Sequence, residues 1–371
     1  MGTGAITATA IVVAMVGVAV VLDDDRRRGG PHGWRSLARA VVALGAAGAV
    51  GAVAVAATSQ PRWLFPVVHL AYLVASIAVP ATGLALAAVA LRRRGRTAVV
   101  VVGLVATVLA PVGWYASHVA PYRLQVVRAE VALPAERAGR DPVRVGVLAD
   151  LQTSRITSYE QGAVADLLAE RPDVILLAGD VYEGPDEAFD EQLPAFRALL
   201  GQLEAPGGVF AVRGDTDTGD RLDRLLDGTQ VRILDDEVVR TEVGDRTVRI
   251  AGNRLRWAPV EGLAARDDLA ESDPGAVRIL LAHRPEVVTG LAADDQVDLT
   301  VAGHTHGGQV AIPGVGPVMA LHGISRSVAA GGLHEVGGHP VFVSTGVGMV
   351  RRGAPQIRLF TRPSIGIVTL R

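Results

Sequence analysis

Five short apolar runs in the second half of this 371-residue chain each end in a side chain that can bind a metal ion. Asp150 follows Val143–Ala149, Gly179-Asp180 follows Val174–Ala178, and Gly214-Asp215 follows Val209–Val212. His283 follows Arg278–Ala282, and Gly303-His304-Thr305-His306 follows Leu299–Ala302. A single Asp after a strand is ordinarily a turn former or a helix cap. Five such positions in succession, three of the groups imidazoles, point instead to one site, because ligands in α/β folds collect at the carboxyl ends of strands. Carboxylates mixed with imidazoles suit Zn, Mn or Fe rather than Ca. Two such ions about 3.5–4 Å apart share a hydroxide, lower its pKa and aim it in line at a phosphorus atom. One carboxylate must bridge them, and Asp180 is the natural bridge: it ends a buried run, and Gly179 before it permits close backbone approach.

Composition removes the alternatives. Cysteine is absent and every basic side chain besides His is Arg, so thiolate nucleophiles, Cys zinc sites, Schiff-base chemistry and a P-loop lysine are all excluded. The formal net charge is only -2, so no basic field calls for a nucleic-acid partner. Metal-assisted hydrolysis of a phosphoester needs none of the missing groups.

The elements that must hold these residues follow from the pattern around them. From Pro142 to Arg371, short β-branched runs alternate with amphipathic stretches, the signature of an α/β domain. Val248–Ala251, Val341–Ser344 and Ile365–Leu370 complete the set of strands. Helices are expected over Ser158–Glu170, with Ser158 as N-cap, and over Ala188–Leu203. Residues 117–141, with Pro121 and Pro134, read as a linker and lead-in strand.

The first 116 residues differ in kind. Ala5–Leu22, Ala40–Ala57, Leu64–Leu91 and Ala98–Ala116 are apolar, uncharged and close to the ~20 residues that span a bilayer. No basic residue precedes the first run and Asp23–Asp25 follow it, which reads as a transmembrane helix rather than a cleaved signal peptide. Arg26, Arg27, Arg28, Arg35 and Arg39 crowd the first connection and Arg92, Arg93, Arg94 and Arg96 the third, whereas the second holds only Arg62. The positive-inside rule then puts the N-terminus and everything after the fourth helix outside the cytoplasm. The expected organisation is a four-helix membrane anchor over 1–116, a linker over 117–141 and a hydrolase domain over 142–371.

The motifs Gly303–Gln309 (GHTHGGQ), LLAGD ending at Asp180, LAHRP around His283 and FVSTGVG at Phe342–Gly348 resemble the calcineurin-like metallophosphoesterase superfamily. They look most like the branch whose hydrolase domain follows N-terminal membrane helices. The resemblance covers roughly 143–371 and implies a four-layer αββα sandwich of two packed mixed sheets flanked by helices. It also implies two divalent metal ions, with Asp150 and His306 on the first, His283 and His304 on the second, and Asp180 bridging. Asp180, Asp215 and His304 are the catalytic groups it implies.

Three departures accompany the match. The family's D-x-H reads Asp150-Leu151-Gln152, so an imidazole is replaced by an amide whose oxygen is a weaker ligand. The family's G-N-H-D/E reads Gly214-Asp215-Thr216-Asp217. Asp215 in place of Asn still ligates, but Thr216 in place of His removes a general acid, typically worth 10²–10⁴-fold. Asp217 and His322 are the candidates to replace it. Arg351 and Arg352 are candidate phosphate clamps, and Tyr182 and Glu183 candidates to support the ligands. The expectation is a metal-dependent phosphohydrolase acting on a phosphomonoester or phosphodiester, possible substrates being lipid or cell-envelope phosphates. The alternative is a silent metal- or partner-binding domain that keeps the fold.

Overall fold

A computed structural model describes residues 61–92, 97–255, 269, 273–320, 323–351 and 353–371. They form two compact units. One holds the described residues up to Val119 together with Arg351–Gln356; the other holds Ala120–Val350 and Ile357–Arg371.

In the first unit, α1 (Pro61–Leu73) runs through a π turn at Val74–Ala78 into α2 (Val79–Arg92), followed by α3 (Thr97–Thr107) and α4 (Leu109–His118). Two stretches here, Val68–Arg92 and Val100–Tyr122, are helical, long and apolar enough to cross a membrane. They overlap the third and fourth expected spans. The first two, Ala5–Leu22 and Ala40–Ala57, lie outside the described residues. The π turn has a cause in Pro80, which lacks an N–H and whose ring would press on the carbonyl four residues back. The Val79 N–H reaches Val74 O instead, one residue further than in an α-helix, and the widened turn admits the ring. α2 and α3 meet at Gly83 and Gly103: a Cβ on Gly83 would lie 2.6 Å from Gly103 O. Such close backbone approach is how helices pack in lipid, where burial of apolar surface gives no drive.

The second unit carries fourteen strands: β1 (Gln125–Val131), β2 (Val143–Leu148), β3 (Val174–Leu177), β4 (Val209–Ala211), β5 (Val231–Ile233), β6 (Glu237–Val243), β7 (Arg246–Gly252), β8 (Val277–Leu281), β9 (Leu299–Ala302), β10 (Ala311–Ile312), β11 (Gly316–Pro317), β12 (Gly332–Val336), β13 (His339–Val343) and β14 (Ser364–Leu370). One six-stranded sheet has the order β1-β14-β2-β3-β4-β5 and the other β12-β13-β9-β8-β7-β6. Both are mixed, yet β2, β3, β4 and β5 are mutually parallel, and so are β7, β8, β9 and β13. Parallel neighbours bring their carboxyl ends to one edge, so the residue after each strand meets the residues after the others.

Alternation along the strands builds the core. Val145, Val147, Val174 and Leu176 face Val248, Ile250, Ile279, Leu281 and Phe342 between the two sheets. The opposite face of the first sheet, with Leu148, Ile175 and Leu177, packs on Ala163 and Leu167 of α5 (Ser158–Ala169) and on Phe196 and Leu199 of α6 (Asp186–Leu200). Each fully buried side chain of this size contributes roughly 1.5–3 kcal/mol. The outer face of the second sheet packs Ala251, Leu280 and Ala282 on Val287 of the 3₁₀ turn Pro285–Gly290.

One expectation needs correction here. The N-cap of α5 is Thr157, not Ser158: Thr157 accepts from Tyr159 N, and Glu160 accepts from Thr157 N. The T-x-x-E spelling of a capping box was already in the sequence. The segment read as a linker and lead-in strand supplies β1, which pairs parallel with the C-terminal β14 from Gln125↔Ser364 to Val131↔Leu370. The compact unit that holds β1 starts at Ala120.

Candidate metal centre

The loops after β2 and β3 are bound to each other: Asp150 N donates to Gly179 O at 3.0 Å, and Gln152 N to Asp180 O at 2.9 Å. Gly179 takes φ 82°, and a Cβ there would lie 2.5 Å from Gly214 N, so only glycine lets the β3 and β4 loops touch. The expected ligands sit on unusual backbone: Asp150, Gln152, Asp180, His304 and His306 have φ between 35° and 71°. Non-glycine residues in this region cost of order 1–3 kcal/mol each and cluster at functional sites.

The structure brings these side chains together from both sheets. Donor atoms of Asp215, His283 and His304 lie within 4.8 Å of one another, and so do those of Asp150, Asp180 and His283. His283 is the shared member. Its Nδ1 lies 2.6 Å from Ala178 O, and a carbonyl can only accept, so that nitrogen carries the proton. Nε2 then faces inward, 3.6 Å from Asp180 Oδ2, 3.5 Å from Asp215 Oδ2 and 3.1 Å from His304 Nδ1. A backbone carbonyl that fixes the tautomer of an imidazole is a recurrent partner of metal-binding His. His304 Nδ1 is also 3.0 Å from Asp215 Oδ2.

Asp180 is 2 % exposed and held at both oxygens, Oδ1 accepting from Thr216 N at 2.8 Å and Oδ2 from Gln152 Nε2 at 3.1 Å. Gln152 therefore orients Asp180 through its amide nitrogen. Asp150 is fully buried and accepts at both oxygens from His304 N. His306 is buried and bonded to the Gly348 backbone, and its Nδ1 has no hydrogen-bond partner. It falls outside the two groups whose donor atoms lie within 4.8 Å.

The electrostatics describe a site that requires cations. Burial pushes Asp150 up to about 8, with His283 pulling it down and Asp180 adding to the rise. Burial opposes charge on His283, yet Asp180, Asp215 and Asp150 push its pKa up to about 10. Burial would raise Asp215 too, but hydrogen bonds from His283 and His304 outweigh it and hold that carboxyl well below the usual range. Burial, with Arg358 next, holds His306 well below its ordinary value, so it is a neutral donor. Buried carboxylates crowded on imidazoles, with an unpartnered buried ring nitrogen, fit divalent metal.

The structure gives Asp217 a role other than the one expected. Asp217 is 4 % exposed and accepts from Asp180 N at 2.8 Å, Val181 N at 3.1 Å and Gly214 N at 2.8 Å. It staples two ligand loops and is in no position to protonate a leaving group. Asp217→Ala should destabilise the unit by about 3 kcal/mol, since each orphaned buried donor costs ~1–3 kcal/mol; thermal unfolding of the purified chain measures it. Tyr182 points into the core, its hydroxyl on Pro185 O and its ring edge-on to Phe189 and Phe196. Glu183 is buried, and its N–H donates to Thr153 O. Arg351 donates to Gln356, and Arg352 and His322 lie outside the described residues.

Two residues were missed. Arg284, directly after His283, forms a two-pronged ion pair with Asp215, its Nε 3.3 Å from Oδ2. The extra charge that Asp215 brings over the family's Asn is thus matched by a guanidinium. Arg358, 0 % exposed, donates to His306 O at 3.2 Å, Thr345 O at 2.7 Å, Gly346 O at 3.2 Å and Gly348 O at 2.6 Å. It ties the GHTH loop to the loop after β13. The only sequence signal was an Arg inside an apolar run.

Residues 143–308 match the family model described as calcineurin-like phosphoesterase. Over 272 residues the chain is 26% identical to the uncharacterized metallophosphoesterase YkuE of Bacillus subtilis, covering 69% of this chain and 89% of that protein. It is 28% identical over 266 residues to the phosphodiesterase YaeI of Escherichia coli, covering 69% and 92%. A metallophosphoesterase of Aquifex aeolicus is 29% identical over 213 residues, covering 54% and 74%. With both sheets delivering Asp and His to one edge, residues 143–308 carry a calcineurin-like metallophosphoesterase domain.

Proposed function

We propose that this chain is a membrane-anchored hydrolase that cuts a phosphomonoester or phosphodiester on a lipid or cell-envelope molecule. The convergence of Asp215, His283 and His304, and of Asp150, Asp180 and His283, carries the reading. Asp150, Asp180, Asp215, His283, His304 and His306 would hold two divalent ions, of Mn, Zn or Fe. Bound there, the ions supply activation of water and neutralisation of the phosphoryl oxygens. The chain's own residues set the geometry: Ala178 O turns His283 Nε2 inward, Gln152 and Thr216 N fix Asp180, and Arg284 holds Asp215. The likeness to the phosphodiesterase YaeI supports the reaction class.

The full chain, purified with Mn²⁺ or Zn²⁺, should hold about two metals and hydrolyse an aryl phosphodiester. One metal or none, with no turnover above buffer, would favour a silent binding domain. A specific observation keeps that second reading in play: the hydroxyl of Thr216 stands where the family has an imidazole acid. Thr216→His should therefore raise turnover by about 10²-fold; no gain in rate would count against that assignment.

The anchor reading rests on the two apolar helices and on the Arg asymmetry of the sequence. It places four helices in 1–116 and the hydrolase outside the cytoplasm. A reporter enzyme fused after Tyr122, active only when exported, should be active; a silent reporter would reverse the orientation.

A further inference from the structure

The hairpin that follows the GHTHGGQ loop has an apolar tip that is exposed among the described residues. Ile312 is 50%, Val315 58% and Val318 48% exposed, on either side of the short pair β10–β11. Phe360 is 67% exposed, on backbone at φ 56° that a bulky aromatic rarely adopts. The segment carrying Phe360 lies beside the hairpin: Val310 bridges Leu359, and Ala311 N donates to Leu359 O at 2.9 Å. Four large apolar side chains are thus exposed on two segments bonded to each other, and such grouping marks a binding face more often than scattered exposure does.

Three observations name the occupant. The first is where the chain enters this unit. Arg362, two residues after Phe360, donates to Arg123 O and Leu124 O, and Gln125 N donates to Pro363 O. The segment carrying Phe360 is therefore bonded to Arg123 and Leu124, which follow in sequence the apolar stretch Val100–Tyr122, long enough to span a membrane. The second is charge. From Leu299 to the C-terminus the sequence holds one acidic residue, Glu335, against six Arg. Arg326 is exposed and stands beside the hairpin, its Cβ 3.9 Å from where a Cβ on Gly316 would be. An apolar tip flanked by Arg326, in a stretch of sequence poor in carboxylates, suits the boundary of a bilayer that carries anionic lipid. The third is continuity with the metal centre. Gln309 closes the motif that begins at Gly303, and its carbonyl accepts from Leu359 N at 2.9 Å, while Arg358 donates to His306 O.

We propose that the Ile312–Val318 hairpin and Phe360 dock on an anionic lipid surface and set the metal centre against a lipid-borne phosphoester. The substrate part of this statement rests on the phosphohydrolase reading above; the docking part does not.

The absence of cysteine makes the test clean. Single cysteines at Val315, Phe360 and, as control, Gln202 in the exposed turn before β4, would each carry an environment-sensitive dye. The full chain is reconstituted in vesicles of phosphatidylcholine and phosphatidylglycerol, with and without headgroup-level spin-labelled lipid. Spin-label quenching at Val315 and Phe360, but not at Gln202, is the expected result. Quenching no stronger than at Gln202 overturns the docking, including the case where the two dyes are shielded by a second copy of the chain. In the same vesicles, Val315→Asp with Phe360→Asp should slow cleavage of a phosphodiester carried on a lipid about tenfold and leave a soluble aryl phosphodiester unchanged. Equal effects on both substrates overturn the substrate assignment. If the unaltered chain cleaves neither, the phosphohydrolase reading fails, and the quenching still decides the docking.

Discussion

Asp180→Ala is expected to lower turnover of an aryl phosphodiester on the order of 10³-fold, and to lower the metal content of the purified chain with it. The argument is positional. Asp180 lies 3.6 Å from the inward nitrogen of His283, and its two oxygens are fixed by Thr216 N and the Gln152 amide. It belongs to the same close group as Asp150 and His283. Removing it takes one carboxylate out of that group and leaves the donors of Thr216 and Gln152 facing a gap. Asp180→Asn separates these effects: an amide keeps the acceptor for Thr216 N but loses the charge. Metal titration followed by rate measurement reads both variants. Turnover in Asp180→Ala within a few-fold of the unaltered chain would remove Asp180 from the centre.

Arg358→Met is expected to destabilise the catalytic unit by about 3–5 kcal/mol, the range for stripping one partner from a buried charged network. Arg358 is the largest fully buried side chain among the described residues, and its guanidinium is the donor to four backbone carbonyls drawn from two loops. Burial pulls its pKa down to about 10, so it remains charged across the physiological range. Without it, the carbonyls of His306, Thr345, Gly346 and Gly348 would face an apolar side chain. Arg358→Lys keeps a charge but cannot fork to four acceptors, so it should fall between the two. Thermal unfolding of the three proteins in the same detergent orders them. A Met variant as stable as the original would mean that water takes over those carbonyls.

Much of the fold was legible because the two periods involved are strong. Leu299–Ala302 ends where the run of apolar residues ends, and the seven other expected strands shift by one or two residues, whereas β5, β6, β10, β11 and β12 were not expected. The lead-in strand within 117–141 shows the limit. β1 is an edge strand with only Val131 fully buried, so it lacks the apolar run that marks its neighbours, and its partner β14 lies at the far end of the chain. No local pattern reports a pairing across that separation. Asp217 shows the same limit from the site's side. Its spacing after Gly214 suits an acid facing substrate, yet three backbone donors from two loops claim it, and those donors become neighbours only when β3 and β4 pair.

Residue type and order by themselves pointed to the candidate ligands, since a carboxylate or an imidazole after a buried run has few other uses when repeated five times. They also determined what chemistry was excluded, through the missing thiols and amines. Tertiary structure alone decided which nitrogen of His283 faces inward, that Gln152 presents an amide to Asp180, and that Arg284 and Arg358 belong to the centre. The reason is physical. Ligand identity is a property of one side chain, whereas tautomer, charge pairing and orientation are set by whatever groups the fold brings within hydrogen-bond range.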